Sequence, residues 1–181
     1  MNFRRSQVSL AACSLLMTAA LMAGQAQAQC NVTFEKEPND SVADATANES
    51  HIYAPSPGFN GAGTLGAGDT DRWMIRNGGP SGTVHVELWA NNYAFSPNGC
   101  AAIDVYKCTT TAAKWANCPS ANRVHVIESV ACQGNQQYPT GGDFSLGHDH
   151  LIHIVITPFS GDPRTYALFV SPPCGQQICH F

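Results

Sequence analysis

The stretch "TVHVELWA", Thr83–Ala90, alternates strictly: in an extended chain Val84, Val86 and Leu88 fall on one face, and His85, Glu87 and Trp89 fall on the other. Period two marks a strand with one face turned to a core. The same pattern returns in "AIDVYKC", "RVHVIESV", "HLIHIVIT" and "TYALFVSP", runs rich in the valine, isoleucine and aromatic residues that strands favour. Between them lie "RNGGPSG", "NNYAFSPNG", "QYPTGG" and "FSGDPRT", whose Gly, Pro, Asn and Asp are turn residues. No segment after the first 28 residues combines a 3.6 period with caps, and a polar stretch runs from about Ser41 to Gly61. Short strands broken by turns predict an all-β chain, a two-sheet sandwich closed around one core.

Residues 1–28 read as a secretion signal. Arg4 and Arg5 supply the positive start, "VSLAACSLLMTAALMAG" the apolar stretch, and "QAQAQC" small residues at alternating positions, so cleavage is expected after Ala26 or Ala28. Lipidation at Cys30 is disfavoured by Gln29, where a small side chain is wanted. No other apolar run approaches the roughly 18 residues of a spanning helix, so no membrane partner is expected. Residues 29–181 form about one domain's length of chain, enough to bury a core. Thirteen acidic residues face nine basic ones, and no basic cluster remains once the leader is removed, which argues against a nucleic-acid partner.

Of eight cysteines, Cys13 leaves with the leader; Cys30, Cys100, Cys108, Cys118, Cys132, Cys174 and Cys179 stay. In an exported, oxidising setting they predict a disulfide-stabilised domain with up to three bridges and one thiol left over. The cluster from Cys100 to Cys132 is expected to pair internally, and "CGQQIC" closes on itself or ties the tail to the body. No C-x-x-C pair occurs, so a cysteine metal site is disfavoured.

"EKEPNDS" (Glu35–Ser41), "GTLGAGDTDRWMI" (Gly63–Ile75) and "LIHIVITPFSGDPRTYALFV" (Leu151–Val170) resemble the bacterial pre-peptidase C-terminal domain: an E-P-N-D start, a G-x-[IL]-x-x-G-D-x-D-x-[YFW] strand and a final strand pair ending in Y-x-L-x-V. The resemblance covers roughly Phe34 to Ser171; the segment carrying Cys100, Cys108, Cys118 and Cys132 departs from the pattern. It implies a jelly-roll-like sandwich, and an accessory domain rather than a hydrolase, with a separate secreted hydrolase among the expected partners. In the related collagen-binding domains of bacterial collagenases the acidic segment holds calcium.

That implication accounts for the oxygen density of "FEKEPNDS". Calcium takes about 6 to 8 oxygen ligands, and carboxylates and amide carbonyls suit it. In an extended chain Glu35, Glu37 and Asn39 converge on one side, Asp40 reaches in from the turn that Pro38 and Asn39 favour, and Asp69 and Asp71, two apart, close the shell. Crowded carboxylates repel, and a divalent cation removes that cost. The alternative is a solvated acidic segment, with Asn39 and Asp40 turning the chain and Asp69 capping a turn.

"GHDHLIH" invites a zinc or copper reading. On a strand His148 and His150 share a face with Ile152, Ile154 and Ile156, while Asp149 and His153 point the other way; the plainer reading is a polar sheet edge with His153 exposed in mid-strand. No G-x-S-x-G, H-E-x-x-H or cysteine with a positioned base supports hydrolysis. Among the aromatics Trp73, Trp89, Trp115, Tyr93 and Tyr106, the parity of Trp89 allows either an outward binding face or burial under a loop. The expected protein is a secreted, non-catalytic, calcium-binding module directed at extracellular protein or polysaccharide. Its rival is a small metal-dependent enzyme or metal-handling protein using His148–His153.

Overall fold

The computed structural model describes residues 32–52, 58–66, 68–91, 100–132, 140–160 and 165–172. The leader, Cys30, Tyr93, Cys174 and Cys179 lie outside these residues, as does the Cys132 side chain. The strands are β1 (Val32–Phe34), β2 (Ser50–Ile52), β3 (Phe59–Gly63), β4 (Asp71–Asn77), β5 (Gly82–Asn91), β6 (Cys100–Cys108), β7 (Arg123–Cys132), β8 (Thr140–Leu146), β9 (Leu151–Ser160) and β10 (Thr165–Ser171). They form two five-stranded sheets, β1-β3-β10-β5-β8 and β2-β4-β9-β6-β7. Pairing is antiparallel except for β1 with β3 and β2 with β4. From β1 onward successive strands alternate between the sheets, and only β6 and β7 follow one another within a sheet. The predicted two-sheet sandwich is the observed fold.

The alternation seen in "TVHVELWA" is the device that closes it. Val84, Val86 and Leu88 are fully buried, and they meet Ile103, Val105, Ile152, Ile154, Ile156, Leu168 and Val170 in one cluster between the sheets. Removing such side chains from water contributes roughly 1.5–3 kcal/mol each. The opposite parity differs between the two sheets. Facing outward on β5, Trp89 is half-buried rather than an open binding face, and its indole N–H donates to Glu87.

A second, smaller cluster covers the outer face of β4 and β9: Ala45, Met74, Cys108, Trp115, Cys118 and Leu151. It is roofed by the excursion between β6 and β7, clipped by the Cys108–Cys118 disulfide, and by a helix absent from the sequence reading, α1 (Val42–Ala47). Ser41 caps α1, its hydroxyl accepting from the Asp44 N–H at 3.2 Å. At six residues the helix spans fewer than two turns, too short to register a 3.6 period.

This roof overturns the exposed reading of His153, which is 5% exposed. Trp115 lies 5.1 Å from its ring, and the Arg72 guanidinium approaches Nε2 at 3.4 Å. Burial, then Arg72 and Arg123, push the His153 imidazole down to about 4. His148, Asp149 and His150 also depart from expectation: they form the turn before β9, not its first residues, with Asp149 at φ 58°.

Candidate metal centre

The acidic segment runs along the open edge of the first sheet. β1 pairs in parallel with β3, and the Glu35 N–H continues the ladder to the Ala62 carbonyl at 2.9 Å. Glu35 is thereby carried over the end of β3, where its Oε1 accepts from the Thr64 N–H at 2.6 Å and the Thr64 hydroxyl at 2.8 Å. Its Oε2 accepts from the Tyr166 hydroxyl at 3.2 Å, and that hydroxyl accepts from the Trp73 indole N–H at 2.8 Å. Gly63 makes this approach possible, since a Cβ there would overlap Glu35 Oε2 and the Tyr166 hydroxyl.

Asp71 opens β4. It shares parity with Trp73 and Ile75, so it points towards the sandwich interior and is 0% exposed. Both carboxylate oxygens are buried and accept no well-formed hydrogen bond; the Glu35 carboxylate and the Tyr166 hydroxyl stand close enough to interact with them. Burial, followed by Glu35, raises its carboxyl to about 9, with the Tyr166 hydroxyl acting to lower it. Burial and the adjoining Asp71 and Glu35 charges likewise push the Tyr166 phenol upward. One ligand oxygen from each of Glu35, Glu37 and Asp71 lies within 4.8 Å of the others. The Glu37 carboxyl is raised by desolvation and by Glu35, Asp69 and Asp40, against a backbone hydrogen bond from Asn39 that lowers it.

The other expected ligands take different places. Asn39 is buried, and its Oδ1 has no hydrogen-bond partner while its N–H donates to Glu37 Oε2 at 3.0 Å. Asp40 is exposed; its Oδ1 accepts from the Thr70 N–H at 3.2 Å and its carbonyl from Arg72 Nε at 2.8 Å. Asp69 caps its own turn, accepting from Gly66 N–H at 3.0 Å and Thr70 N–H at 2.9 Å. Three of the six residues converge, one more offers an orphaned carbonyl oxygen, and Asp40 and Asp69 hold the acidic segment and the turn before β4 together.

Buried polar groups are nearly always paired, and an unpaired one costs about 1–3 kcal/mol or more when charged. The two orphaned oxygens of Asp71, inside the carboxylate cluster, are what a cation with oxygen preference relieves, and Asn39, whose N–H donates to Glu37, carries a third orphaned oxygen. The donors are all oxygen, which suits calcium and not a soft metal. The residues present therefore fit the ion.

The histidines of "GHDHLIH" do not converge. His148 Nδ1 lies 2.8 Å from the Gly79 carbonyl and its Nε2 faces Asp149 at 3.4 Å, whereas His153 is buried under Trp115. A cluster that the sequence reading passed over, Asp104, His125 and Glu128, lies on the outer face of the second sheet. The signal that could have found it is a parity break in "RVHVIESV".

Comparison with protein-family models and with curated proteins finds no match. Among solved structures the chain is similar to the pre-peptidase C-terminal domain of collagenase from Bacillus anthracis, at 12% identity and TM-score 0.40, over 68% of this chain and 94% of that one. It is also similar to CorA, a surface-associated copper-binding protein important in Methylomicrobium album BG8 copper acquisition, at 10% identity and TM-score 0.41, over 80% of this chain and 98% of that one. The first carries the name of the family whose motifs the sequence resembles.

Proposed function

We propose that the protein is a secreted, non-catalytic β-sandwich module that binds calcium through Glu35, Glu37, Asp71 and Asn39 and attaches to extracellular protein or polysaccharide. The observation that carries the calcium reading is the pair of Asp71 oxygens, wholly buried, accepting no well-formed hydrogen bond, and within reach of two further carboxylates. A carboxylate cluster with one fully buried member beside a half-buried and an exposed one is costly alone and favourable around a divalent cation. The ion joins β1 to β4, and so ties the leading segment to both sheets.

Support for attachment comes from the motifs shared with accessory domains and from the aromatic side chain beside the site. Phe34, immediately before Glu35, is 75% exposed on β1. Docking of Glu35 by calcium holds that side chain in a fixed position, and exposed aromatics on a rigid edge serve binding. The Cys108–Cys118 disulfide accords with export into an oxidising compartment, and among the described residues no helix is long and apolar enough to cross a membrane. Co-sedimentation with fibrillar collagen, cellulose and chitin, each in calcium and in chelator, tests the reading. Calcium-dependent retention on one of them, lost in Phe34→Ala, is expected; equal recovery in the supernatant throughout would refute attachment.

A further inference from the structure

The β6–β7 hairpin carries an irregularity with a chemical consequence. Strict alternation would place His125 on the same face as Ile127, towards the core. The register instead slips between Val105 and Tyr106: Val105 pairs with Ile127, and Tyr106 with His125. This bulge returns His125 to the outer face, beside Asp104 and Glu128, which are direct cross-strand partners. Like charges directly opposite each other weaken a sheet, so the pair calls for a positive neighbour. His125 Nε2 stands 2.9 Å from Asp104 Oδ1, and one ligand atom from each of the three residues lies within 4.8 Å of the others. The imidazole is held flat against Tyr106, with ring centroids 4.5 Å apart and planes 18° apart.

We propose that Asp104, His125 and Glu128 form a second metal site, for a divalent transition metal of the zinc type, distinct from the all-oxygen centre at Glu35. One imidazole nitrogen and two carboxylates are borderline donors that suit zinc better than calcium. Zinc ligands about 2.0–2.2 Å from the ion stand roughly 3.4 Å apart in a tetrahedron, so closing the site asks only for small rotations of exposed side chains. The fourth position is left to water. His85 illustrates the contrast: its two nitrogens face different carboxylates, Asp143 at 2.7 Å and Glu87 at 3.2 Å, so those carboxylates lie on opposite sides of the ring.

The test is calorimetric titration of the mature protein with zinc chloride at pH 7.5, in excess calcium so that the acidic centre is filled. One zinc equivalent is expected, with affinity lowered about 10-fold or more in both His125→Gln and Glu128→Gln and unchanged in Glu37→Gln and His148→Ala. The two principal variants alter exposed side chains, and thermal melts establish that they fold. Zinc binding that persists in either His125→Gln or Glu128→Gln, that disappears with Glu37→Gln, or that is absent from the wild type overturns the assignment.

Discussion

Replacing Asp71 with asparagine should stabilise the calcium-free protein while abolishing its response to calcium. Three ionised carboxylates within 4.8 Å would repel by about 3.5 kcal/mol per pair at an effective dielectric of about 20, so the metal-free fold keeps Asp71 protonated. The unfolded chain, with an ordinary value of 3.8, is ionised at pH 7, and folding must take up a proton. Because the native state binds the extra proton, stability falls as pH rises above the unfolded value and continues to fall until the native value is passed. At pH 7 that cost is about 4 kcal/mol, an upper figure that requires only a native value above 7.

Asparagine carries no such linkage. In calcium-stripped buffer the stability of Asp71→Asn relative to wild type should therefore grow by up to about 1.4 kcal/mol per pH unit between pH 5 and 8. Taking the difference between the two proteins cancels every titrating group that does not interact with Asp71. Calcium at about 100 times its dissociation constant should add about 2.7 kcal/mol to the wild type, and nothing comparable to the variant. Urea denaturation followed by tryptophan fluorescence measures both. Parallel pH profiles for the two proteins, or an undiminished calcium gain in Asp71→Asn, would refute the reasoning.

His153 works in the opposite sense: its imidazole is pushed down to about 4, so its neutral burial stabilises fully above the unfolded value of 6.5 and is lost as pH falls from there towards 4. The loss is about 3 kcal/mol, and urea titrations at pH 7 and pH 4 should show it shrinking in His153→Leu. Gly63→Ala should cost about 1–3 kcal/mol and weaken calcium binding, because the new methyl displaces Glu35 or the Tyr166 ring; calorimetry reads both effects. Tyr166→Phe leaves the buried Trp73 N–H without its acceptor and should lower stability by about 1–3 kcal/mol in chemical denaturation. Paired serines at Cys108 and Cys118, which close a loop of 10 residues, should cost about 2–4 kcal/mol and expose Trp115, visible as a red-shifted fluorescence component.

Strand alternation was legible because it is local. Parity in "TVHVELWA" and "HLIHIVIT" names the core residues Val84, Val86, Leu88, Ile152, Ile154 and Ile156 without knowledge of any partner strand. Asp71 was likewise legible as a member of an acidic set. Its burial was not, because its place at the interior end of β4 depends on Glu35, Gly63 and Tyr166 arriving from three other strands. The face to which His153 points followed from its parity, but what covers that face did not: Trp115 comes from an excursion whose path no local pattern records. His125 shows the remaining limit. A single bulge reverses a side chain's face; the adjacent Val126 and Ile127 break the alternation in the sequence, but only the pairing of β7 with β6 shows where the register slips and which side chains it brings together. The strands β1, β2, β3 and β8, short or built on turn residues such as Gly141 and Gly142, carried no alternation to read. Sequence alone thus determined the long strands β5, β6, β9 and β10 with their core faces, the presence of β7, and the stock of ligating oxygens. Only the tertiary structure decided which of them meet, since crossing between sheets at nearly every turn brings together residues far apart in the chain.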